Sequence, residues 1–216
     1  MTEPVGAMRE GLLLVMAALL AALAGMVDAI GYLHLNNGLF VSFMSGNSTQ
    51  FAIALGQGGR ATAATIGELI LFFVIGAAGG QMLADVAGNR QITWVLVSVA
   101  ILLVVSGLLA TAAEPMTFAM GALNAAMNRA GHTPVSVTFV TGVLVRLGQG
   151  LGNLLIRGPT GWNWLLQAVP WIGLITGAVI GAFAYTKLGA AVIWGAVGFA
   201  GALAAISLVI PQPKPT

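Results

Sequence analysis

From Leu12 to Ile30 the chain runs through 19 residues whose only charge is Asp28. Crossing a bilayer core takes about 20 apolar residues. In lipid only helices and closed barrels satisfy their own backbone polar groups. Stretches 10–33, 62–85, 91–112, 161–186 and 189–210 all read as spanning helices, and a shorter one, 116–131, is polar at Asn124 and Asn128. Composition agrees, with 58% hydrophobic and only 6% charged residues; soluble domains carry about 25% charged residues. A soluble globule is thereby excluded. The start of the chain (Glu3, Arg9, Glu10) is not basic and the apolar run is too long for a cleaved leader, so 10–33 is expected to be a retained membrane helix.

Two further stretches are poor spanners. Residues 38–57 carry Ser42, Ser45, Gly46, Asn47, Ser48, Thr49 and Gln50; residues 134–156 carry Ser136, Thr138, Thr141, Gly142, Arg146 and Gln149. Turn signals precede both, at Asn36-Asn37-Gly38 and Gly131-His132-Thr133-Pro134. These stretches belong to a pattern written twice. Gly25, Asp28 and Ala29 with Phe43, Ser45 and Gly46 are matched, 96 positions on, by Gly121, Asn124 and Ala125 with Phe139, Thr141 and Gly142. Aligning 25–56 with 121–152 gives seven identities in 32 positions without a gap. Gly76/Gly173 and Gly80/Gly177 continue the match at an offset of 97. An internal duplication is expected, as in many transporters.

Charge distinguishes two topologies, because loops rich in Lys and Arg stay on the cytoplasmic side. With the N-terminus inside, eight crossings leave Arg90, Arg129 and Lys187 outside. Six crossings, with 38–57 and 134–156 dipping in and returning, put Arg9, Arg90, Arg129, Arg157 and Lys214 inside and only Arg60 and Lys187 outside. The six-crossing arrangement is favoured. Three crossings per half would invert the second copy relative to the first. The expected fold is an all-α integral membrane protein with about six transmembrane helices, two broken or re-entrant segments and two internal repeats in inverted topology. It forms one membrane domain over 1–216 with halves 10–90 and 91–210, and 211–216 is a disordered tail.

Polar groups at membrane depth are expensive, and by default they mark function. Gly25, Asp28 and Tyr32 share one helical face, and Gly121, Asn124 and Asn128 share the matching face of the other copy. Asp28 is a proton-titratable or cation-pairing candidate. Asn124 and Asn128 serve equally well as solute contacts or as interhelical hydrogen bonds. Ser45-Gly46-Asn47 and Thr141-Gly142 are expected at the breaks of the dipping segments, where freed backbone groups can bind a solute; the plainer role is to re-satisfy the broken backbone. Arg146 is the one basic residue deep in an apolar stretch. It is placed to pair with Asp28, to bind an anion or to snorkel. The expected solute-binding set is therefore Asp28, Ser45, Gly46, Asn47, Asn124, Thr141, Gly142 and Arg146. Gly173-x-x-x-Gly177-x-x-x-Gly181 and Gly76-x-x-x-Gly80 read as helix-packing ladders.

With no cysteine and with its two histidines at predicted helix ends, the chain offers no metal cluster, and no cofactor is expected. The pI near 9.5 reflects a small imbalance without a basic patch, so no nucleic-acid partner is expected.

Gly25-Met-Val-Asp28-Ala29, Phe43-Met-Ser45-Gly46-Asn47 and Met120-Gly121-Ala-Leu-Asn124-Ala125 followed by Thr141-Gly142 together resemble the YoaK family, over nearly the whole chain. Leu123 departs from the glutamine expected before the asparagine. The resemblance implies a small bacterial inner-membrane protein with about six spans and no established substrate. Three functions compete. The first is a secondary transporter or channel for a small polar or anionic solute, bound at the repeat interface near the midplane and proton-coupled through Asp28. The second is a scaffold that uses the small-residue ladders as protein interfaces. The third, an intramembrane enzyme, lacks a recognisable nucleophile–base pair, so no enzymatic activity is expected. The expected partners are the bilayer and a small-molecule solute, with homo-oligomerisation left open.

Overall fold

The computed structural model describes residues 3–35, 38–109, 112–130, 140–158 and 163–210. Within them the chain is all-helical: α1 Glu3–Leu35, α2 Met44–Gly56, α3 Arg60–Ala87, α4 Gln91–Leu108, α5 Ala113–Ala130, α6 Val140–Arg157, α7 Ala168–Leu188 and α8 Ile193–Ser207. Short 3-10 turns join α3 to α4 and α7 to α8, and another leads into α7. The spanning stretches expected from hydropathy all fall on helices. Three continuous helical stretches, Gly11–Leu35, Arg60–Leu108 and Trp164–Ser207, are long and apolar enough to cross a membrane. At 13 residues, α2 reaches only about 20 Å and cannot cross alone. The expected tail 211–216 and the first six residues of the expected dipping segment 134–156 lie outside the described residues.

Helix α1 packs most extensively on α7, and α3 on α5; α4 bridges α5 and α8. Side chains such as Leu20, Leu23, Leu96, Leu123 and Leu203 are fully buried where these helices meet. The outer faces are apolar too: Leu71 and Val74 of α3 and Ile172 and Val179 of α7 are exposed, as suits a surface that faces lipid.

Glycines set the closest helix contacts. A Cβ on Gly173, Gly177 or Gly181 of α7 would collide with the backbone of Ala18, Ala22 or Met26 of α1. Ascending numbers meet ascending numbers, so α1 and α7 run parallel. Likewise Gly76 and Gly80 of α3 lie against the backbone of Phe118 and Ala122 of α5, and that pair is also parallel. Both ladders are therefore consumed inside the chain and are not free interfaces for a partner.

The α4–α8 pair runs the other way. The Thr93 hydroxyl, at the start of α4, lies 2.7 Å from the Ser207 hydroxyl at the end of α8. Gly107, at the far end of α4, packs on Ile193 and Trp194 at the start of α8.

These contacts correspond at fixed offsets. Ala22 and Met26 lie 96 positions before Phe118 and Ala122, while their partners Gly177 and Gly181 lie 101 positions after Gly76 and Gly80. By these contacts Gly177, one helical turn beyond the Gly173 that matches Gly76 in sequence, takes the place that Gly76 has in the other pair. Helix α6, with 18 residues, is longer than α2, with 13. The starts of α2 and α6 are 96 apart, whereas the left-handed glycines that follow them, Gly58 (φ 74°) and Gly158 (φ 77°), are 100 apart. Beyond that point Gly88 (φ 55°) ends α3 and Gly189 (φ 56°) ends α7, 101 apart. The buried stripe of α4 (Ile92, Val95, Val99, Leu103, Ser106) recurs 101 positions on in α8 as Ile193, Ala196, Ala200, Ala204 and Ser207, all buried.

Candidate functional site

Asp28 stands about two turns before the end of α1, facing the irregular segment 38–43 that leads into α2. A chain without regular structure has backbone amides to satisfy, and here the carboxylate satisfies two of them. Asp28 Oδ1 accepts from the backbone N–H of Val41 at 2.9 Å and of Ser42 at 2.7 Å. Asp28 Oδ2 accepts from the Ser42 hydroxyl at 2.5 Å. Val41 and Ser42 are themselves buried.

One turn into α2, Asn47 does for Phe40 what Asp28 does for its neighbours. Its side-chain oxygen accepts from the Phe40 N–H at 3.1 Å, and its amide nitrogen donates to the Phe40 carbonyl at 2.6 Å. Asn47 is fully buried. The Gln50 side chain adds a bond to the Gly38 carbonyl at 3.1 Å. Segment 38–43 is thus held from two sides, by α1 through Asp28 and by α2 through Asn47 and Gln50.

A cavity of about 550 Å³ opens between α1, this segment and α7. Asp28, Ser42 and Tyr32 are the residues of its wall that carry polar side-chain groups. The aromatic wall is Tyr32, Phe40 and Phe43, with Tyr32–Phe40 ring centroids 5.0 Å apart and Phe40–Phe43 rings 5.5 Å apart at 87°. Leu174 and Ala178 of α7 close the far side. They come that near because Gly25 has no side chain: a Cβ there would strike the Leu174 carbonyl.

Of the expected binding set, only Asp28 lines this cavity. Asn47 acts on it indirectly, by positioning Phe40. Gly46 lies in the first turn of α2 and lets the Phe43 ring fold against it, since a Cβ there would come within 2.8 Å of the ring. Ser45 is exposed and does not line the cavity. Asn124 is buried on α5 and donates to the Met120 carbonyl at 2.8 Å. Thr141 and Gly142 occupy the first turn of α6, with Thr141 exposed. Arg146 follows on the same helix, half-buried. It does not pair with Asp28, whose partners are neutral donors. Of the three roles open to Arg146, pairing with Asp28 is not the one seen: the carboxylate is met by Val41 and Ser42. The shared helical face of Gly25, Asp28 and Tyr32 does meet at the cavity as expected. The roles of Phe40 and Phe43 and of α7 were missed; a Phe beside a polar run carries no signal of where its ring will turn. A smaller cavity of about 260 Å³ lies between Ile30, His34, Ser106 and Trp194, where His34 Nδ1 meets the Tyr185 hydroxyl at 3.0 Å.

Residues 16–206 match the family model described as a protein of unknown function, DUF1275. The chain belongs to the DUF1275 family. It is also similar to the UPF0700 transmembrane protein RA0705 of Rhizobium meliloti (strain 1021), being 38% identical over 196 residues that cover 86% of this chain and 82% of the relative. No solved structure matches it significantly. The DUF1275/UPF0700 family is thus established, as a transmembrane family without an assigned function, and the finer likeness to YoaK stands as a resemblance. For a member of this transmembrane family the bilayer is the surrounding medium, and the apolar outer faces of α3 and α7 meet it.

Proposed function

We propose that this DUF1275 protein is a secondary transporter or channel of the bacterial inner membrane, built as an inverted internal duplication, with its solute site at the Asp28 cavity. The observation that carries the functional part is the cavity itself: about 550 Å³, within the usual range of small-molecule sites, with an ionisable side chain on its wall inside a candidate span. An ionised carboxylate at a helix centre costs about 2.5–3.5 kcal/mol on insertion scales. Asp28 lies five residues, about 7.5 Å, from the middle of the Gly11–Leu35 span, so the site is displaced toward one face of the membrane.

Helix directions support the six-crossing topology. If α1, α3, α4, α5, α7 and α8 all cross, α4 and α8 can be antiparallel only if α6 does not cross. With α6 set aside, α1 and α7 can be parallel only if α2 does not cross either. Both directions are the observed ones. The correspondence of contacts at offsets 96 and 101 supports the duplication, and the antiparallel meeting of α4 with its counterpart α8 supports an inverted relation, since a two-fold axis between antiparallel helices runs perpendicular to them. In such a plan α2 and α6 enter from opposite faces and return.

Within this reading an anionic solute loses its support, because Asp28 is the acidic side chain of the cavity wall and Arg146 is absent from that wall. The test is flux. Purified protein in proteoliposomes should move solute counter-ions down an imposed gradient, and Asp28→Asn should lower that flux at least tenfold. No flux above protein-free vesicles for any small organic solute would refute the transport reading and return the protein to the scaffold class.

A further inference from the structure

The Asp28 carboxylate is fixed by three neutral donors. A carboxylate offers about four acceptor sites, so one direction on Oδ2 remains for a ligand. No basic side chain of the described residues lies on the cavity wall to balance the charge. Around it stand the rings of Tyr32, Phe40 and Phe43, and ring faces attract cations, most strongly where water is excluded. The rest of the wall, from Leu174 to Val179 on α7, is apolar. Negative charge, π faces and a greasy wall in one chamber select a single ligand chemistry.

We propose that the cavity binds an amphiphilic organic cation, an ammonium- or phosphonium-type group against Asp28 and the aromatic rings with its apolar body against α7. The proposal rests on the transport reading for the identity of the site and adds the class of solute. An anion of the same shape gains the same apolar wall but is repelled by Asp28 and by the ring faces. A neutral apolar molecule, a lipid chain included, gains the wall but nothing from Asp28. Tyr32 and Val179 are the exposed residues of the cavity wall and mark its mouth, on a surface that faces lipid, so a cation already partitioned into the bilayer has direct access.

Tetraphenylphosphonium and tetraphenylborate form the deciding probe pair, having nearly the same size and shape and opposite charge. Binding to the full chain in nanodiscs is measured by equilibrium dialysis, with empty nanodiscs subtracted. The expected result is saturable binding of the cation near one per chain and none of the anion. Asp28→Asn keeps an acceptor for the Val41 and Ser42 amides and should weaken cation binding at least tenfold. Val179→Trp fills the mouth from α7 without touching the carboxylate or its donors, and should also weaken it at least tenfold. Equal uptake of both ions, or cation binding unchanged in both variants, overturns the proposal and leaves a cavity that holds lipid chains. Asp28-dependent binding without flux would sink the transport reading alone; flux of a solute without cation binding would sink this inference alone.

Discussion

The hydroxyls of Thr93 and Ser207 meet at 2.7 Å, joining the first turn of α4 to the last turn of α8, and both side chains are buried. Ser207 is also within reach of its own helix, donating to the Ala204 carbonyl at 2.6 Å, which leaves Thr93 as donor to Ser207. A chain of two hydroxyls thus crosses between the antiparallel helices α4 and α8.

A double-mutant cycle of Thr93→Val and Ser207→Ala, followed by unfolding in detergent, should give a coupling of about 0.6–2 kcal/mol, the range for hydrogen bonds between membrane helices. Additivity within error would mean that the two hydroxyls do not act on each other.

The topology has its own test, and the absence of native cysteine makes it clean. Single cysteines at Gln57 and Arg60, beyond α2, should react with an impermeant maleimide from the periplasmic side only. A cysteine at Arg157, at the end of α6, should react from the cytoplasmic side only. Reaction of all three from the cytoplasm would restore eight crossings.

Overpacking at the glycine contacts should be costly. Gly177→Val places side-chain atoms where the Ala22 backbone now lies, and Gly121→Val does the same against Phe73 and Ala77. Each should lose about 1–3 kcal/mol of stability in detergent unfolding. Gly198→Ala, with open space around it, should be neutral or slightly stabilising.

Removing the Asp28 side chain should affect the turn before it affects anything else. Asp28→Ala orphans the buried Val41 and Ser42 amides, at about 1–3 kcal/mol for each unsatisfied group, and should open segment 38–43 to hydrogen exchange. Asp28→Asn should leave exchange there within a factor of a few of the wild type. Equal protection in both variants would show that the carboxylate does not hold the turn.

Much of this architecture was legible because hydrophobic run length is a local property. The helices fall where the apolar stretches lie, and Gly25, Asp28 and Tyr32 share a face through helical periodicity alone. What the sequence did not disclose depends on tertiary geometry. Ser42 is 14 positions from Asp28, and nothing local says that the chain will double back to bring its hydroxyl to the carboxylate. Sequence matching shifted by a single residue paired Gly76 with Gly173, whereas the helix contacts set Gly177 in the place that corresponds to Gly76. Arg146 drew notice as a lone charge among apolar residues. No described residue of its helix lines the Asp28 cavity, and the carboxylate is met by the neutral donors of segment 38–43. Asn128, also singled out from the sequence, has no described side chain.

The parallel contact of α1 with α7 bears on how the protein is made. Helix α1 ends at Leu35, and its principal partner begins only at Ala168. At about 5–20 residues per second of synthesis, α1 waits on the order of 10 s in the membrane before α7 emerges from the ribosome. Throughout that interval its small-residue face, the backbone of Ala18, Ala22 and Met26, lies open to lipid or to the insertion machinery. A truncation after α4 would strand α1 without its mate, and a chain stalled during translation would present that face to quality-control proteases.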